Sequence, residues 1–142
     1  MAFAHASDPA SRVHPVDAVL LTCGVPLFLG GLLSDIAYAR TYQIQWSNFA
    51  AWLIAGAMVF TGLALAWTLL QMIRSSFRDR RRLIVFLLLL ATFALGLVNS
   101  FIHARDAWGS MPSGLVLSII ITLLAAAATW LGLSSIRLGV RP

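Results

Sequence analysis

The sequence predicts an all-α fold: a four-transmembrane-helix antiparallel bundle, integral to a membrane. Three observations predict it. The chain of 142 residues is 60% hydrophobic and only 11% charged, with a mean hydropathy of +0.88. Soluble domains carry about 25% charged residues, so this composition cannot cover a water-facing surface. Four apolar stretches, at about 16–38, 49–73, 83–103 and 113–136, each reach the roughly 20 helical residues that a bilayer core requires. The gaps between them are short, so successive helices run antiparallel.

The elements follow in order. Residues 1–15 form a polar, cytoplasmic N-terminal segment holding His5, Asp8 and Arg12. It has no apolar core and is not a cleavable signal peptide, although the first span can serve as an uncleaved anchor. Residues 16–136 are the membrane domain, and residues 137–142 a cytoplasmic tail. Helix one opens at His14-Pro15, with Pro15 in the first turn, where its missing N–H is harmless, and Asp17 facing the positive end of the helix dipole. Pro26 predicts a kink mid-span, and Gly24, Gly30 and Gly31 let another backbone come close.

Helix two follows a polar loop, TYQIQWSN, with Ser47 or Asn48 as its cap. Trp46, Trp52, Trp67, Tyr38, Tyr42, Trp108 and Trp130 read as aromatic belts at the two membrane interfaces. Helix four carries Gly114, Ser118, Thr122 and Ala126 four apart, widened by Ala125–Ala128, a small-residue stripe for close packing. Cys23 lies inside helix one; as the single cysteine it has no intrachain partner and reads as a small apolar residue.

Net charge is +5, and all ten basic residues are arginine. Their distribution orients the chain and does not indicate nucleic acid. With both termini inside, the cytoplasmic side holds eight of them: Arg12, the loop residues Arg74, Arg78, Arg80, Arg81 and Arg82, and the tail residues Arg137 and Arg141. The outer side holds two, Arg40 and Arg105. The positive-inside rule therefore favours a multi-pass protein of a bacterial inner membrane, N-in and C-in. The Arg80–Arg82 run reads as a topogenic loop that also meets anionic lipid.

The stretch NSFIHARDAW, 99–108, is the most polar interruption of the apolar half. If helix three continues through it, Asn99, His103 and Asp106 share one face at i, i+4 and i+7. Asp35 lies at the same end of helix one. Polar groups at membrane depth turn toward a bundle interior or a wet cavity and find partners there. Asp35, Asn99, His103, Arg105 and Asp106 are therefore the candidate ligand- or partner-binding residues, with His14 as a secondary candidate. A purely structural role fits the same residues: Arg105 pairing with Asp35 or Asp106, and His103 bonding a neighbouring carbonyl.

No nucleophile–base pair, P-loop or G-x-G-x-x-G motif occurs, and no catalytic residue is assigned. A bis-histidine haem needs two histidines at one depth, whereas His14 and His103 stand at opposite ends of the bundle. His103, Asp106 and Asp35 offer one nitrogen and two carboxylates to a metal, but without any motif spacing, so no metal site is assigned. The spans hold few central ionisable residues, so transport requires a homo-oligomer.

His14-Pro15 before helix one, Asp35 at its far end, and N-x-x-x-H-x-x-D-A-W at 99–108 followed by Met111-Pro112-x-Gly114 carry a resemblance. The chain resembles the small bacterial four-helix inner-membrane proteins grouped as a domain of unknown function, over about residues 13–136. The resemblance implies no agreed activity. It implies a link to periplasmic quinoprotein dehydrogenases, which some members neighbour, through electron transfer or membrane docking. The reading is a non-enzymatic accessory or anchor protein in the lipid bilayer, without a cofactor, whose periplasmic end meets a periplasmic or membrane protein partner or a small ligand. The alternatives are a redox component using quinone or haem b, and a small oligomeric transporter or channel.

Overall fold

The computed structural model describes residues 14–75, 79–105 and 109–134. Four helices make up the described chain: α1 Pro15–Thr41, α2 Ile44–Ser75, α3 Arg80–His103 and α4 Ser113–Leu133. All are long and apolar enough to cross a membrane. They form a ring in chain order: α1 packs on α2, α2 on α3, α3 on α4 and α4 on α1, while the diagonal pairs touch only slightly. One end of the bundle holds the starts of α1 and α3 and the ends of α2 and α4. It carries Arg74 and Arg80–Arg82 and is called the arginine end. The other is the His103 end.

Local chemistry sets the boundaries. His14 caps α1, its Nδ1 accepting from the Val16 N–H at 3.3 Å. α1 then runs through Pro26, whose side faces outward, without a break in the helix. The predicted polar loop before α2 is wrong. Tyr42 adopts the left-handed conformation, φ 55°, and its N–H donates to Tyr38 O at 2.8 Å, so the chain reverses over Tyr42 and Gln43 alone. α2 therefore begins at Ile44, and Ser47, expected as a cap, is buried inside the helix. α3 starts three residues earlier than expected because Asp79 caps it, its Oδ1 accepting from the N–H groups of Arg81 (3.0 Å) and Arg82 (3.4 Å).

The core lies in two layers. Nearer the His103 end are Phe28, Ala50, Ile54, Ala57, Met58, Ile121 and Ala125; nearer the arginine end are Leu21, Ala64, Val85, Leu89 and Ala128. Hydroxyls at membrane depth turn back onto their own helices, as Thr61 does to Ala57 O (2.8 Å) and Thr92 to Leu88 O (2.7 Å). These local bonds satisfy polar groups that lipid cannot. Thr129 instead bonds across to Leu21 O of α1 at 2.9 Å. Arg81 donates from Nε to Leu131 O at 2.8 Å, and from Nη2 to that same oxygen and to Ser134 Oγ. It thus satisfies the open carbonyl end of α4.

The small-residue stripe of α4 needs correcting. Gly114, Ser118 and Thr122 are buried, but Ala126 is exposed and the inward face continues through Ala125 and Ala128. At 3.6 residues per turn, Ala126 is rotated about 120° from Gly114 and Ala125 only about 20°. The aromatic belts also need correcting. Trp46, Trp52, Tyr42 and Trp130 are exposed, but Tyr38 is buried and Trp67 is half-buried. Trp108 lies outside the described residues.

The glycines of α1 do admit α2, and they differ in tolerance. A Cβ on Gly31 would stand 3.1 Å from Ile54 Cγ1, which is wholly buried, whereas one on Gly24 would meet Thr61 Oγ1 at an ordinary 3.6 Å. Gly31→Val therefore overpacks the α1–α2 contact and destabilises the bundle by about 1–3 kcal/mol. Gly24→Ala is neutral or stabilising by up to about 1 kcal/mol through helix propensity. Thermal unfolding in detergent, followed by circular dichroism, should give these opposite signs.

Candidate functional site

At the His103 end, three helices meet in a buried polar network. Asp35 comes from α1, Asn99 and His103 from α3, and Ser118 from α4. Asp35 and Asn99 are 0% exposed, Ser118 1% and His103 8%. Asp35 lies six residues before the end of α1 and Ser118 five after the start of α4. At 1.5 Å per residue both sit roughly 8–9 Å inside the bundle, so the antiparallel arrangement brings them to one depth.

The bonding accounts for every polar side-chain atom of the set but one. His103 Nε2 lies 2.7 Å from Asp35 Oδ1. Ser118 Oγ donates to Asp35 Oδ2 at 2.5 Å and accepts from Asn99 Nδ2 at 2.9 Å. His103 Nδ1 donates to the Asn99 carbonyl oxygen at 2.9 Å, one turn back on its own helix, which aims the ring inward. Asp35 and His103 belong to diagonal helices, and they touch because α4 presents no side chain between them. A Cβ on Gly114 would come within 2.9 Å of His103 Cε1. Asn99 Oδ1 is the one side-chain atom of this set that is buried without a hydrogen-bond partner.

The predicted candidates divide accordingly. Asp35, Asn99 and His103 are brought together. Arg105 is exposed beyond α3; of the two carboxylates expected for it, Asp35 or Asp106, the first is held by His103 and Ser118. Asp106 lies outside the described residues, and α3 ends at His103. Ser118 was read as a packing residue only. Its depth, equal to that of Asp35 across the antiparallel pair, is the signal that marks it as a partner.

His14 stands at the arginine end, far from His103. Its ring lies 5.3 Å, centroid to centroid, from that of Trp67, whose Nε1 is buried without a partner. Nearby, Gln71 Nε2 donates to both oxygens of Asp17, at 2.9 and 3.0 Å, joining α1 to α2. Beside this end an apolar hollow of about 240 Å³ is lined by Pro15, Val16, Val19 and Leu20. Cys23 is a half-buried free thiol. Among the described residues no group of three or more His, Cys, Asp or Glu side chains is placed to hold a metal.

These features define a class: a membrane protein of four apolar helices joined near one end by a buried carboxylate–imidazole pair. More narrowly, the chain belongs to the family described as Predicted membrane protein (DUF2231), whose model matches residues 13–140. Comparison with curated proteins and with solved structures gave no match.

Removing one member of a buried pair strands the other. Asp35→Ala should cost about 3–5 kcal/mol of stability. Ser118→Ala, which leaves Asn99 Nδ2 without its acceptor, should cost about 1–3 kcal/mol. The double variant Asp35→Ala/His103→Ala should cost less than its two single variants combined. Unfolding in a denaturing detergent series measures all of these, and strict additivity would show that the Asp35–His103 contact carries no coupling.

Proposed function

We propose that this protein is a non-enzymatic accessory or anchor subunit of a bacterial inner membrane, with both termini cytoplasmic and its His103 end toward the periplasm, where it engages a protein partner. The observation that supports a scaffold over a catalyst is that the titratable pair, Asp35 and His103, is bonded entirely within the bundle. A catalytic group presents a free donor, acceptor or lone pair to what it acts on. Here both Asp35 oxygens and both His103 nitrogens are bonded within the bundle. The network ties three helices into one register and so gives the His103 end a defined shape.

What that end presents outward is aromatic. Trp46, Phe49, Trp52 and Phe101 are all exposed there, and Trp46 and Phe49 pack ring to ring at 6.1 Å. Such residues favour both the membrane interface and protein–protein contacts. The orientation rests on the arginine asymmetry, with Arg74 and Arg80–Arg82 at the opposite end.

Two measurements in native membranes test this reading. In a Cys23→Ala background, a membrane-impermeant thiol reagent should label Ala104→Cys in intact spheroplasts, and Arg74→Cys only after permeabilisation; the reverse pattern overturns the orientation. A photo-cross-linking residue at Phe101 or Trp52 should capture a discrete polypeptide, whereas one at Ile73, exposed at the arginine end, should not. Capture confined to Ile73 would overturn the assigned face.

A further inference from the structure

The network can be counted proton by proton. His103 Nδ1 faces the Asn99 carbonyl oxygen, which only accepts, so Nδ1 carries a hydrogen. Ser118 Oγ accepts from Asn99 Nδ2, so its own hydrogen goes to Asp35 Oδ2. What remains is the 2.7 Å gap between His103 Nε2 and Asp35 Oδ1. A ring nitrogen and a carboxylate oxygen hold that distance only with one proton between them. Whichever atom carries it, the pair is neutral overall and holds that proton in common.

We infer that the Asp35–His103 pair is a buried proton-binding site, and that the bound proton locks α1 to α3 across the diagonal of the bundle. The inference does not depend on a partner at the His103 end. Release of the proton to water leaves a carboxylate on Asp35 and a neutral His103 whose single ring hydrogen faces two acceptors, Asp35 Oδ1 and the Asn99 carbonyl oxygen. Whichever of the two contacts lacks the hydrogen is repulsive, and one negative charge stays inside the bundle. Uptake of a second proton is different: Nε2–H still donates to an Asp35 oxygen. Loss of the proton is therefore the event that opens the lock.

The surroundings favour this response. α2 carries no charged residue before Arg74, and α4 carries none over 113–133. Tyr38 and Arg40 are the other titratable or charged groups at this end of α1, and Arg40 is exposed. Beyond α3, Arg105 is exposed and Asp106 lies outside the described residues. No described cation is bonded to Asp35 to hold it once His103 is neutral. The exit is short. His103 is the last residue of α3, followed by the exposed Ala104 and Arg105, so fraying of a single turn carries the imidazole to water.

The test uses the full chain in lipid nanodiscs. The ¹⁵N shifts of His103, assigned by difference against His103→Gln, report the proton. Spin labels at Ala39→Cys and Ala104→Cys, in a Cys23→Ala background, report the α1–α3 distance. Between about pH 5 and pH 9, the His103 resonance should move from its shared-proton to its neutral form, and a longer distance population should grow with the same midpoint. Asp35→Asn, which keeps the shape without the charge, should give a distance that does not change with pH. His103→Gln, which removes the imidazole, should likewise give a distance that does not change with pH, and serves where Asp35→Asn does not fold. A distance independent of pH in the unsubstituted pair, or a His103 resonance unchanged over the whole range, would overturn the inference.

Discussion

A carboxylate inside an apolar bundle must be paired, and that requirement organises the His103 end of this protein. An unpaired ion at such depth costs several kcal/mol. Asp35 is wholly buried, so each of its oxygens must find a donor within the protein. Its own helix does not supply them: Oδ1 is met by His103 from the diagonal helix and Oδ2 by Ser118 from the adjacent one. One side chain thereby sets the relative depth of α1, α3 and α4. A slip of any of them by one helical turn, about 5.4 Å, would break the set.

Close approach is the means. In lipid, helices gain little from hydrophobicity and associate through packing and interhelical hydrogen bonds. Gly31 brings α1 against α2, Gly96 admits Met58 to α3, and Gly114 leaves room for the His103 ring. The last of these matters most for the polar network, because a side chain at 114 would stand where the imidazole crosses the bundle. Packing and polar pairing are thus one construction at this end.

The two ends are built differently. The arginine end is held by contacts close to its rim: Gln71 to Asp17, His14 against Trp67, and Arg81 over the last carbonyls of α4. The His103 end is held by a network wholly out of contact with water. A rim contact exchanges readily with solvent, whereas a buried one changes only when its protons or its helices move. The asymmetry parallels that of the described arginines, with Arg74 and Arg80–Arg82 at one end and Arg40 and Arg105 at the other.

Much of this was legible in the sequence. Composition and the lengths of the apolar runs settle four spans, because a bilayer demands about 20 apolar residues and excludes unpaired backbone. The spacing of Asn99 and His103 places them on one face, and antiparallel order brings Asp35 to their depth. Helix rotation was not legible. Which way each helix turns depends on contacts between side chains far apart in the chain. For that reason the sequence shows Ser118 only as a packing residue, puts Ala126 on a face it does not occupy, and leaves both Asp35 and Asp106 open to Arg105, although His103 and Ser118 hold Asp35. The short reversal at Tyr42 also escaped, since a left-handed tyrosine carries no sequence mark of the kind glycine does. The sequence by itself determined the medium, the number of helices and the shared depth of Asp35, Asn99 and His103, because these follow from hydropathy counted along the chain. Only the tertiary structure decided which polar groups meet, because a hydrogen bond at 2.7 Å depends on the azimuth of two helices and on the absence of a side chain between them.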